Sequence, residues 1–262
     1  MKKIMFLISA VFIITACAVS PTGRQQFAMM SPQQMDAMGE EAFAELKSKK
    51  SIADNRRING YVACVAEAIT ATLENRENTW EVVVFEDKTP NAFALPGGKI
   101  GVHTGLLDVA KNQHQLATVI GHEIAHVLAG HGNERLSQQT AVQGGLSVAG
   151  SIYGDSGAIS QQAMMKVLGL GAQVGFLLPF SRVHESEADV IGLDLMAQAG
   201  FDPRESVSLW RNMAQASQGQ PMEFLSTHPS HGTRIQDLQA NMGAAMNTYE
   251  AARSRGKTPN CG

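Results

Sequence analysis

Residues 122–126 read His-Glu-Ile-Ala-His, and this run constrains the fold more than any other feature of the chain. On an α-helix, residues four apart share a face, so His122 and His126 aim their imidazoles at one point. Glu123 sits one step round, where it reaches water at that point rather than the point itself. Two histidines do not hold a catalytic zinc ion; a third protein ligand comes from elsewhere and leaves one position for water. The chain must therefore fold so that a distant donor lands on this helix.

The donor is not the next histidine pattern along. A longer motif with glycine at 129 and histidine at 132 fails, since those positions are Ala129 and Gly132. His131 lies five residues past His126, roughly 140° round an unbroken helix, and reads as structural. Between Glu134 and Glu185 the only acid is Asp155, set in a Gly-rich loop. The next acids are Glu185, Glu187 and Asp189, and helix phase separates them. Glu185 and Asp189 fall with Ala188, Gly192, Leu195, Met196 and Ala199 on a packed stripe, whereas Glu187 falls outside with Asp194 and Gln198. Two acids on a buried stripe are costly without partners. Glu185 is thus the expected third metal ligand, and Asp189 orients a ligand histidine or assists proton transfer. Glu187 reads as a solvated charge.

The remaining pattern is mostly helical. Ser31-Pro32 reads as a capped helix start, followed by Met35, Met38, Ala42, Phe43 and Leu46 at helical spacing. A second helix is expected from about Asp54 to Leu73, and others over 184–199, 203–217 and 231–253. Asn112 caps the motif helix. Trp80 to Phe85 reads as a strand, and Pro96-Gly97-Gly98 as a turn between extended segments at 91–94 and 99–103. From Ser137 to Ser181 the only charged side chains are Asp155 and Lys166, so 137–181 reads as a low-charge helical lid. His103, His114, His184 and His231 read as surface or packing residues.

The N-terminus places the chain. Lys2 and Lys3 precede an apolar stretch from Ile4 to Ala16, short of the roughly 20 residues that a membrane span needs but suited to a secretory signal. A transmembrane anchor is the competing reading. Ile14-Thr15-Ala16-Cys17 resembles the bacterial lipobox, in which the cysteine is lipidated as the signal is cleaved. The expected organisation is a signal peptide over 1–16, a lipidated tether over 17–30 and one domain over 31–262. Ala18 is not the aspartate that retains enteric lipoproteins in the inner membrane, which favours the outer membrane and the periplasm. Cys64 and Cys261 then remain as a candidate disulfide, the alternative being two free thiols. At a net charge of −3 there is no electrostatic case for nucleic acid.

His122-Glu123-x-x-His126, followed by Ser181-Arg182-x-x-Glu185-x-x-Ala188-Asp189, resembles metallopeptidase family 48, which includes HtpX-like and prenyl-protein proteases. Thr22-Gly23-Arg24, residues 91–98 and Thr227-His228-Pro229 are similar to its soluble lipoprotein branch, represented by BepA and LoiP, here without a tetratricopeptide-repeat domain. The resemblance implies an α+β, mostly helical, gluzincin-type domain with a small β-sheet beside the active-site helix. It implies one Zn²⁺ per chain on His122, His126 and Glu185, with Glu123 as base and Asp189 as proton donor. It also puts His228 near the metal as a resting-state ligand or switch; the alternative is a turn that only caps the next helix.

Three functions compete. The first is an envelope endopeptidase that hydrolyses unfolded or damaged proteins, with Asn91, Ala92, Phe93 and Ala94, or 99–103, as the edge on which an extended substrate adds as a strand. The second is a chaperone-like outer-membrane assembly factor with latent peptidase activity. The third is a zinc-stabilised structural lipoprotein. An intact Glu123 favours retained chemistry.

Overall fold

The computed structural model describes residues 17–73, 80–141, 180–217, 223–229 and 233–262. In order, they form β1 (Cys17–Val19), β2 (Gln25–Phe27), α1 (Pro32–Lys49), α2 (Arg56–Thr70), β3 (Glu81–Phe85), β4 (Ala92–Leu95) and β5 (Lys99–His103). A 3₁₀ turn (Thr104–Asp108) leads to α3 (Gln113–Leu128), and a short break to α4 (131–141). Then come α5 (Arg182–Gln198), α6 (Glu205–Ala216), α7 (Glu223–Thr227) and α8 (Arg234–Ser254). The signal segment 1–16, most of the low-charge region 137–181 and His231 lie outside the described residues. No described helix is long and apolar enough to cross a membrane.

Local chemistry sets the helix starts. Ser31 and Gln34 form a reciprocal capping box with Pro32 in the first turn of α1. Asn55 caps α2, Asn112 caps α3 and Ser181 caps α5, each accepting from a backbone N–H of the first turn. The observed helices start and stop within a few residues of the expected positions. Val62, Val65 and Ile69 on α2 are fully buried, as their spacing requires.

The mixed three-stranded sheet has the order β3-β5-β4. β5 pairs in parallel with β3 and antiparallel with β4. Strand 99–103 is therefore central and offers no edge, which removes it as a site for strand addition; 91–95 carries β4, at the edge of the sheet. The turn between β4 and β5 places Gly97 and Gly98 at φ 78° and 70°, a region that glycine enters without steric cost. Ile69, Ile100, Leu106, Leu116, Ile120 and Phe201 form the dry centre between the sheet and the helices.

Helices α3 and α5 cross in backbone contact. A Cβ on Gly192 would stand 2.8 Å from the His122 nitrogen, and one on Gly121 would stand 2.9 Å from the Gly192 carbonyl oxygen. Two turns along the same face of α5 from Gly192 lies Glu185, so this crossing delivers the acid to the histidines. Sulfurs of Cys64 and Cys261 are bonded, with Cα atoms 5.6 Å apart, and fasten the C-terminal tail to α2. Residues 17–30, expected as a tether, begin as the antiparallel hairpin β1–β2 laid against the domain. Gln26 Nε2 donates to the Ala129 carbonyl, and the backbone N–H groups of Met29 and Met30 donate to Ser137 and Asn133.

Candidate metal centre

Every side chain from Gln115 to His126 on α3 is buried, so the motif lies inside the protein rather than on its surface. His126 Nε2 is 3.0 Å from His122 Nε2, which is 3.2 Å from His228 Nδ1. The Glu185 carboxylate lies 3.4 Å from His122 Nε2, 3.4 Å from His126 Nε2 and 3.1 Å from His228 Nδ1. One donor atom from each of the four lies within 4.8 Å of the other three. Ligand atoms bound at 2.0–2.1 Å to a tetrahedral ion stand roughly 3.3 Å apart, and the set of three imidazoles and one carboxylate suits zinc. Nitrogens and a carboxylate brought to these separations in a buried pocket match the spacing that a shared metal ion sets. The donor set fits Zn²⁺ on His122, His126, Glu185 and His228.

His228 thus faces the cluster, and α8 starts from Thr233, with no side-chain cap. Its other nitrogen, Nε2, lies 3.4 Å from Glu123 Oε1. That oxygen is buried and has no hydrogen-bond partner among the described residues. Burial raises the Glu123 pKa, while the backbone N–H of Ala94 hydrogen-bonds its carboxylate. Edge strand β4 and the motif acid are therefore adjacent. Of the four substrate-strand candidates, Asn91 and Ala92 are buried, and Phe93 and Ala94 are half-buried.

Asp189 Oδ1 lies 3.0 Å from His122 Nδ1, the ring nitrogen facing away from the cluster. Burial alone would lower the His122 pKa, but Asp189 and Glu185 outweigh it and hold the group at about 9. Sequence reasoning missed Arg234. This side chain is only 2% exposed; Nη1 donates to Glu185 Oε2 at 3.0 Å and Nη2 to Asp189 Oδ1 at 2.6 Å. Its guanidinium carbon lies 3.4 Å over the Trp210 ring. A signal was present: a cation in the first turn of a helix opposes the dipole, which implies a partner elsewhere. Phe180 was missed too. Its ring stacks on His126 at 4.0 Å between centroids, with Arg135 on the ring at 4.1 Å.

Two sequence expectations are corrected. His131 does not point away, because the helix breaks at Gly130 (φ 65°) and restarts, turning His131 Nδ1 to within 2.8 Å of His126 Nδ1. Glu187 is not solvated; the hairpin covers this end of α5, leaving the residue 7% exposed. Arg24 Nε donates to Glu187 at 2.7 Å, and its terminal nitrogens donate to both Glu134 oxygens at 3.0 and 2.8 Å. Thr22 donates to Glu187 as well, and His184 lies 3.0 Å from Glu134. Burial would raise the Glu187 pKa, but hydrogen bonds from Ser20, Thr22, Arg24 and His131 hold it at about 2. Burial pulls His131 down to about 4, so its ring is neutral.

A motif helix crossed by an acid-bearing helix, beside a small mixed sheet, defines a gluzincin-type zinc peptidase domain. A sequence model of peptidase family M48 matches residues 54–242, and the chain belongs to that family. It is 36% identical over 223 residues to the mitochondrial metalloendopeptidase OMA1 of Schizosaccharomyces pombe, covering 83% of this chain and 64% of that protein. To the mitochondrial metalloendopeptidase OMA1 of Saccharomyces cerevisiae it is 40% identical over 181 residues, covering 65% of this chain and 49% of that protein. With the metalloprotease LoiP of Escherichia coli it shares 25% identity over 252 residues, covering 93% of this chain and 97% of that protein. The chain thus spans less than two thirds of these two OMA1 proteins and nearly all of LoiP.

Proposed function

We propose that this protein is a zinc endopeptidase of the bacterial envelope, lipid-anchored at Cys17 on the periplasmic face of the outer membrane, which hydrolyses unfolded or damaged envelope proteins. The observation that carries the chemistry is Glu123, a buried acid with one oxygen that makes no hydrogen bond among the described residues, set between the four donors and edge strand β4. Support for the location is the lipobox-like run ending at Cys17.

When bound, zinc makes water a nucleophile near neutral pH and polarises the scissile carbonyl. The rest is done by the chain. Glu123 takes the proton from the attacking water and passes it to the leaving amine, a role that its raised pKa suits. Asp189 fixes His122 with Nδ1 protonated, so that Nε2 faces the cluster. Arg234 neutralises the pair of buried acids. β4 aligns an extended substrate through backbone hydrogen bonds, a mode indifferent to sequence and suited to unfolded chains. With His228 in place all four donors come from protein, whereas catalytic zinc sites keep a position for water. The arrangement is a closed resting state, and movement of 223–229 opens it.

Digestion of casein by the wild type, Glu123→Gln and His228→Ala tests this reading. Glu123→Gln should lower hydrolysis by about 10²–10⁴-fold, and His228→Ala should raise it. Equal digestion by wild type and Glu123→Gln contradicts the peptidase reading. If none of the three digests casein but all suppress its aggregation, the chaperone-like assembly factor replaces it. The intact mass of membrane-extracted protein tests the lipid at Cys17.

A further inference from the structure

We propose that the β1–β2 hairpin holds His126 in its zinc-ligating form through Arg24, Glu187 and His131, so that these three are positioning residues of the metal centre. The inference rests on the zinc centre described above and adds to it a support that begins outside the segment matching the family, residues 54–242.

Tautomers follow from the contacts. His126 Nε2 faces His122 and Glu185, so it must carry a lone pair, and the ring proton must sit on Nδ1. The Nδ1 proton needs an acceptor, and the atom 2.8 Å away is His131 Nδ1. That nitrogen accepts only if the proton of the neutral His131 ring is on Nε2. His131 Nε2 lies 3.1 Å from Glu187 Oε2, an obligate acceptor when ionised. Glu187 thereby selects the tautomer of His131, and His131 selects that of His126. Were the His131 proton on Nδ1, it would face His126 Nδ1, and His126 would turn its own proton toward the metal. The familiar histidine–carboxylate support of a zinc ligand is here extended by one imidazole.

The hairpin supplies the far end. Glu187 and Glu134 are both nearly buried, and each is tied to Arg24. Without that cation two buried carboxylates would lose their shared partner, and Glu187 would turn toward solvent and away from His131 Nε2. Thr22, two residues before Arg24, adds its hydroxyl to the same carboxylate. Three consecutive links thus join a hairpin that starts at Cys17 to a metal ligand more than 100 residues away.

The test is zinc affinity, measured by chelator competition on folded wild type, Arg24→Ala, Arg24→Lys, Glu187→Ala and Val19→Ala, with circular dichroism to establish folding. Loss of a group that supports a zinc ligand typically costs about 10–100-fold in affinity. Arg24→Ala and Glu187→Ala should each weaken zinc binding by about that factor, and the double variant by no more than the larger single effect. Arg24→Lys should recover part of the loss. Val19→Ala, exposed on the same hairpin, should bind as wild type does. The nitrogen-15 shifts of His126 in the zinc-loaded protein should report Nδ1 protonated in the wild type, with that signal broadened or lost in Arg24→Ala. Wild-type affinity in folded Arg24→Ala, or additive losses in the double variant, overturns the proposal. Should Glu187→Ala fail to fold, the two Arg24 variants decide. A wild type that binds no zinc would instead overturn the zinc centre itself, so the two failures are distinguishable.

Discussion

Two buried polar clusters lie back to back across His126, and they are satisfied in opposite ways. The rear one, Arg24 with Glu134, Glu187, His131 and His184, carries its own cation, and each of its carboxylates meets donors, while His184 Nδ1 has no hydrogen-bond partner among the described residues. The front one, His122, His126, His228 and Glu185, brings one possible ligand atom from each residue to within 4.8 Å of the others. Arg234 reaches it only from the side, through Glu185 and Asp189. Burial of polar groups therefore does not by itself mark a metal site; burial with converging acceptors and too few protons does. The rear cluster is a structural ion network, whereas the front one is complete only with an added cation.

The largest effect expected from breaking this contrast is at Arg234. Arg234→Met strips the cation from two buried carboxylates and should cost about 3–5 kcal/mol of stability without metal. In zinc-loaded protein the cost should be smaller, since the ion supplies charge beside Glu185. Urea denaturation with and without zinc measures both, and an equal cost in the two would show that Arg234 acts only as packing.

The helix crossing comes next. Gly192→Ala forces a methyl group against the His122 backbone and should destabilise by about 1–3 kcal/mol. Gly243→Ala, on α8 with nothing within 4 Å of its added Cβ, should stabilise by about 0.5–1 kcal/mol. Opposite signs sharpen the claim that contact between α3 and α5 positions Glu185; loss at both sites would break it.

The smallest effect lies away from both clusters. Burial would raise the Asp87 pKa, but hydrogen bonds from Thr89 and the neighbouring His103 and Lys50 hold it at about 2. A carboxyl depressed in the folded state contributes stability that is complete above its unfolded value, near 3.8, and disappears as pH falls through about 2. The advantage of wild type over Asp87→Asn should be about 1 kcal/mol or less, constant from pH 7 to 5 and gone near pH 2. Urea midpoints at each pH give it, and an advantage that grows on acidification would contradict the assignment.

How much of this was legible depended on whether the partners shared a helix. His122 and His126 lie four apart, and Glu185 and Asp189 lie four apart, so periodicity alone placed each pair on a face. Met35, Ala42 and Phe43 were found inside for the same reason. Glu187 was misplaced because helix phase describes one cylinder and cannot see a hairpin laid over it from 163 residues away. His131 was misplaced because the break at Gly130 resets the phase. Arg234 contacts acids 45 and 49 residues distant, a pairing that no local pattern encodes. The central position of β5 depends on strand order, which short β-branched runs leave open.

The central claim, that the front cluster is a single zinc centre, is tested most directly by metal stoichiometry. Elemental analysis of the purified wild type and of Glu185→Ala, after dialysis against limiting zinc, should give one zinc per chain in the first and a clear deficit in the second. Wild-type protein without stoichiometric zinc, or the same content in both, would contradict it.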